Sequence, residues 1–158
     1  MDYGRGILLK TLGLGAIAGA RSMAAPAALS RAVERGAVGN LEHTPFAALG
    51  SPEVSRALRL FEIGELLVDK LPVAPSRTSP LPLLGRAVSG GFVGAALFAS
   101  EGRRVAAGGV LGAVSALAGA YAGERLRLLG AQTLGVPGTL LALLEDGIVL
   151  FGAARLLR

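Results

Sequence analysis

The residues whose types and positions could do chemistry are charged groups set inside apolar runs. Arg21 stands well inside the run that begins at Ile7, and Glu145 and Asp146 stand deep in the last one. An arginine at the centre of a bilayer costs at least about 2.5–3.5 kcal/mol on insertion scales, so such groups pair with one another or mark the path of an ion or solute. Adjacent residues point about 100° apart on a helix, so Glu145 and Asp146 face different neighbours. Glu145 shares its face with Gly138, Ala142 and Gly152, the side able to press on another helix. The spacing therefore predicts a membrane-depth acid neutralising Arg21 across a helix contact, as a structural pair or as part of a polar path.

A second constellation lies in "GELLVDKLPVAPSRTSPLPLLGR", Gly64 to Arg86. Glu65 and Asp69 are four apart and share a helix face, with Lys70 beside them. Pro72, Pro75, Pro80 and Pro82 stiffen the following segment into an extended loop poor in backbone donors. That loop carries Ser76, Arg77, Thr78 and Ser79. As an extramembrane loop it would place Lys70 and Arg77 near headgroups. As a re-entrant lining it would bring Arg77 to an anion, because irregular backbone at membrane depth is tolerated only inside protein or along a wet cavity. Composition alone favours the first reading.

Other chemistry finds no support in the residues. Cysteine is absent and His43 is the single histidine, so thiolate chemistry and multi-histidine metal sites are excluded. No P-loop, dinucleotide fingerprint or nucleophile elbow occurs, so neither an enzyme nor a cofactor is expected. Ser22, Ser89 and Ser115 fall in helix-like runs where helix-to-helix hydrogen bonding is the ordinary role.

The elements that position these groups are apolar and rich in small residues. Of 158 residues, 52% are hydrophobic and only 17% charged, against about a quarter charged in soluble domains; mean hydropathy is +0.58. Glycine, with 24 copies, would weaken helices in water but lets helix backbones approach closely in lipid. The net charge of +5 is scattered and lacks the aromatic-laced stripe of a nucleic-acid binder, which suits helix ends facing lipid headgroups instead.

The clearest span is Val105–Gly123, free of charge and flanked by Arg103, Arg104, Glu124, Arg125 and Arg127. Gly108, Gly112, Ala116 and Ala120 form one close-packing line on it, and Ser115, Gly119 and Gly123 another. Leu83–Ser100, with Gly90 and Gly94 four apart, is joined to it by "EGRR", short enough to force an antiparallel hairpin. Arg86, near its start, is expected to snorkel to the interface. Further spans are Pro137–Leu157 and Ile7–Ser30, the latter broken at Arg21 and Pro26. Pro52–Leu71 carries charges that spiral around it, predicting a start at the interface and an end inside the bundle. Residues 34 to 52 read as a surface connection. The first helix is expected to be retained, since Arg21 interrupts the region where a signal peptide would be cleaved. Lys and Arg are too evenly distributed to orient the chain.

"GAIAGAR", Gly15–Arg21, and "GAYAGER", Gly119–Arg125, differ only at their third and sixth positions. Two such half-units around a midplane site would suit a channel or transporter.

Together, "GAIAGARSMAAPAAL", "GELLVDKLPVAPSRTSPLPLLGRAVSG", "GAYAGERLR" and "LLEDGIVL" resemble the bacterial membrane family known as domain of unknown function 4126, across nearly the whole chain. The resemblance implies a small multi-helix protein of the bacterial inner membrane. Its distinctive residues correspond to Arg21, Ser22, Glu65, Asp69, Lys70, Pro72, Pro75, Ser76, Arg77, Thr78, Arg86, Glu145 and Asp146, and it carries no known activity, substrate or cofactor. It also strengthens a specific role for the Asp69–Thr78 loop.

The expectation is one all-α domain over residues 1 to 158, a polytopic transmembrane bundle of four to five Gly/Ala-rich helices. It would be a homo-oligomeric channel- or transporter-like protein in a lipid bilayer, passing a small ion or solute along its intramembrane charges, with no nucleic-acid partner. The alternative is a non-transporting scaffold or assembly protein whose charges form structural ion pairs.

Overall fold

The computed structural model describes residues 3–39, 41–68, 79–134 and 138–158, and these are mostly helical. The helices are α1 (Tyr3–Ala20), α2 (Ala24–Glu34), α3 (Pro52–Val68), α4 (Pro80–Ser100), α5 (Val105–Leu134) and α6 (Gly138–Leu156), with a 3₁₀ turn at Ala47–Gly50 in the longer connection between α2 and α3. Among the described residues there is no strand.

Small residues decide how the centre packs. A Cβ on Gly90 would lie 2.6 Å from the Gly112 carbonyl oxygen, and one on Gly94 or Gly108 would collide with the backbone of the other. The helices α4 and α5 are thus an antiparallel pair in backbone contact. Their turn ends in a Schellman cap: Arg103 N–H bonds Phe98 O at 2.8 Å and Gly102 N–H bonds Ala99 O at 3.0 Å. Gly102 has φ +63°, which glycine adopts without steric cost.

The other small-residue line of α5 receives α1. A Cβ on Gly15 would meet Ser115 and the Gly112 carbonyl, and one on Gly119 would meet Ala16. The Ser115 hydroxyl donates to Leu12 O at 2.6 Å. Contacts rise together along both helices, so α1 and α5 run parallel. Ala16 and Gly19 of the first copy of the internal echo therefore pack against Gly119 and Ala120 of the second. Gly123 is different: a Cβ there would meet only Glu145 Oε1, at an ordinary 3.5 Å.

Helix α6 runs antiparallel to α1, with Gly13 against Leu156 and Gly152 against Ile17. Helix α2 turns back from the end of α1 and descends beside α6, while α3 runs antiparallel to α2 on its outer side. The core lies between α1, α2 and α4, where Leu14, Leu29, Val93 and Leu97 are almost wholly buried.

Large apolar side chains also lie on the outside. Phe61, Leu81, Val110, Leu126, Ile148 and Phe151, on four different helices, are each more than 60% exposed. Among the described residues, Pro80–Ser100 and Val105–Gly130 are the two helices long and apolar enough to cross a membrane.

Several boundaries differ from the sequence reading. Helix α5 continues past Gly123 to Leu134 because Glu, Arg, Leu and Gln are good helix formers; apolarity bounds a lipid span, not a helix. Helix α4 starts at Pro80, using proline in its first turn. Asp69, Lys70, Pro72, Pro75, Ser76, Arg77 and Thr78 lie outside the described residues, as does Pro137.

Candidate functional site

The site is the break between α1 and α2 at Arg21–Met23, and proline chemistry explains part of it. Pro26, in the first turn of α2, has no N–H to give to the carbonyl four residues back. That carbonyl, Ser22 O, instead accepts the Ser89 hydroxyl from α4. Ser22 N–H and Met23 N–H, turned out of the helix, both donate to the Glu65 carboxylate of α3, at 2.8 Å each. At the end of α1, the carbonyls of Gly19 and Ala20 accept from the Arg86 guanidinium, the second at 3.3 Å. A helix break away from bulk water must satisfy its freed backbone groups from side chains. Here α3 supplies an acceptor for the donors, and α4 supplies donors for the carbonyls.

The Arg21 side chain leaves the break on the other side. Its Nε and a terminal nitrogen both donate to Asp146 Oδ1 of α6, the former at 2.9 Å. Arg21 and Arg86 are each only 3% exposed, and Asp146 is 7% exposed. Two guanidiniums and two carboxylates thus meet around one broken helix. The space beside them, lined by Arg21, Glu62, Glu65 and Asp146 with Val149 and Leu150, leaves about 10 Å³ for the centre of a water-sized sphere. That is room for about one water.

Arg21, Ser22, Glu65, Arg86 and Asp146 are thus gathered at one place. Glu145 is not among them. It points away and pairs with Arg127 of α5, as the 100° step between neighbours requires. Arg86 does not snorkel; it turns inward because uncapped carbonyls at the end of α1 lie within its reach. Sequence reasoning missed Glu62, which is buried and pairs with Arg31 at 3.0 Å. It also missed Arg127 as the partner of Glu145.

A second cavity, with no lining residue in common with the first, lies further along α2 and α6. Ala28, Arg31 and Ala32 line it from α2 with Arg35 and Ala37 just beyond that helix, and Ala153 and Ala154 line it from α6 with Leu157 and Arg158 just beyond. It holds about 220 Å³ for water-sized centres, over twenty times the space at the helix break. The linings follow in register: Ala24 with Val149 at the break, then Ala28 with Ala153 one turn further. The signal available in the sequence was the four-residue spacing of Arg31 and Arg35.

Comparison with curated proteins and with solved structures gives no match. A family model described as a domain of unknown function (DUF4126) matches residues 8–157. The chain belongs to that family.

Proposed function

We propose that this chain is a multi-pass membrane protein of channel or transporter type, whose solute path is the α2–α6 groove and whose gate is the charged helix break. The observation that carries the reading is the register of the two cavities along one helix pair, wide among arginines and narrowed to one water at Arg21, Glu65 and Asp146. Helices α1, α4, α5 and α6 are the proposed crossings, with the end of α3 entering beside them. With 11 residues, α2 is about 16 Å long. A span needs about 30 Å, so α2 is a re-entrant half-helix. Broken helices of this kind line midplane sites in secondary transporters, where half-helix ends face the solute.

The narrow end describes a closed state, held by buried charge pairs that must part for a solute to pass. Proteoliposomes test this. Wild-type vesicles are expected to pass a small ion or solute faster than protein-free ones, and Asp146→Asn, which loosens the gate, is expected to change the rate several-fold. Vesicles that stay tight with both proteins, across a panel of anions and cations, would sink the reading.

A structural scaffold is the second reading. It is favoured by the side-chain capping of five backbone groups at the break and by the space for about one water there. Tight vesicles with an intact fold would select it.

A further inference from the structure

The wide end of the groove has a chemistry of its own. Arg31, Arg35 and Arg158 surround it, while its floor is made by Ala28, Ala32, Ala153 and Leu157. Arg31 spends part of its guanidinium on Glu62 at 3.0 Å. Arg35 uses Nε on the Arg31 carbonyl at 3.1 Å, which holds its fork beside the cavity. Among the described residues, Glu62 is the one carboxylate within ion-pair distance of these three arginines. The cavity therefore carries more guanidinium than carboxylate side chains, with Arg31 half-buried and Arg35 and Arg158 exposed, so its attraction for an anion is partly screened by water and salt.

We infer that this cavity binds a phosphate-bearing oxyanion. Guanidinium forks match tetrahedral oxyanions in bidentate fashion, and several converging on one cavity fit multiple phosphate oxygens better than a monatomic anion. The space of about 220 Å³ admits such a group with water around it. The alanine floor accepts the apolar remainder of an amphiphile as well as a hydrated free ion. The shared chemistry is phosphate, borne by a phospholipid headgroup or free in solution. This inference rests on the path reading where it names the solute class, but binding is measured without flux, so the two fail separately.

The test uses the full chain purified in neutral detergent. Inorganic phosphate, titrated against chloride at equal ionic strength, is followed by calorimetry and by the shift in melting temperature. In parallel, native mass spectrometry follows retention of phosphatidylglycerol against phosphatidylcholine. Phosphate saturation in the millimolar range or tighter supports free phosphate. Selective phosphatidylglycerol retention, with no response to inorganic phosphate, supports the lipid source.

In either case Arg35→Gln with Arg158→Gln is expected to weaken binding at least tenfold, while Arg56→Gln, an exposed arginine on α3, leaves it unchanged. Ala154→Phe, which keeps every arginine and fills the cavity from its exposed side, is expected to abolish binding, and it decides the matter if the arginine variant does not fold. No response to either probe in the wild type overturns the inference. So does binding that survives Ala154→Phe.

Discussion

The Glu65 carboxylate caps the N-terminus of a helix to which it does not belong, accepting the Ser22 N–H on one oxygen at 2.8 Å and the next N–H on the other. Helix termini ordinarily find their caps one to three residues away. Here the cap comes from α3, 43 residues along the chain, so closing the break and docking α3 are one event. Charge-assisted bonds of this kind contribute about 1.5–3 kcal/mol each. Glu65→Ala is therefore expected to destabilise the fold by about 2–4 kcal/mol, and Glu65→Gln, which keeps one acceptor, by clearly less. Reversible unfolding in detergent measures both. A Glu65→Ala protein as stable as wild type would refute the cross-chain cap.

The pairing of Arg21 with Asp146 makes a directional prediction. Removing one partner of a buried pair costs about 3–5 kcal/mol, because the other charge is left uncompensated. Asp146→Asn should show this loss, and adding Arg21→Gln should recover at least about 1 kcal/mol of it. Glu145→Gln should couple to Arg127→Gln and not to Arg21→Gln. A double-mutant cycle reads all three couplings, and a strong Glu145–Arg21 term would contradict the arrangement.

Proline 26 and Ser89 should be coupled through a single carbonyl. Ser89→Ala removes the donor to Ser22 O, at a cost of about 1 kcal/mol for a helix-to-helix bond of this type. In a Pro26→Ala background residue 26 regains an N–H, and a helix continued through the break would give it the same carbonyl, so Ser89→Ala should then cost little. Equal cost in both backgrounds would mean that the carbonyl is not the shared element.

Glycines of equal appearance in the sequence should differ sharply. Gly94→Ala and Gly112→Ala place a methyl against facing backbone, which cannot rotate away as a side chain can. Each is expected to cost about 2–3 kcal/mol or to separate α4 from α5. Gly123→Ala meets one carboxylate oxygen at 3.5 Å and should stay within about 0.5 kcal/mol of wild type. Melting temperatures in detergent rank the three.

The parts legible in advance were those governed by neighbours in sequence. A four-residue spacing of Gly90 and Gly94 marks a close-packing face whatever helix meets it. Pro26 and Arg21 mark a helix break because proline cannot donate and a buried guanidinium demands partners. The antiparallel hairpin of α4 with α5 follows from a connection too short for any other course, while the Schellman turn at Gly102 is seen only in the structure. Arg86 was less transparent. Its nearness to a helix start suggested the interface, and only the uncapped carbonyls of a helix some sixty residues earlier turn it inward.

The sequence by itself determined a chain of the DUF4126 family, helical among the described residues and rich in apolar side chains, with a break near Arg21 and glycine faces on α4 and α5. Those features rest on periodicity, sterics and composition, which act over a few residues. The tertiary structure alone decided that Asp146 and not Glu145 answers Arg21, that α3 caps α2, and that α2 turns back to form a groove with α6. Such pairings depend on the rotation of each helix about its axis, where one residue is a 100° change of face. That rotation is set by the packing of all the helices together.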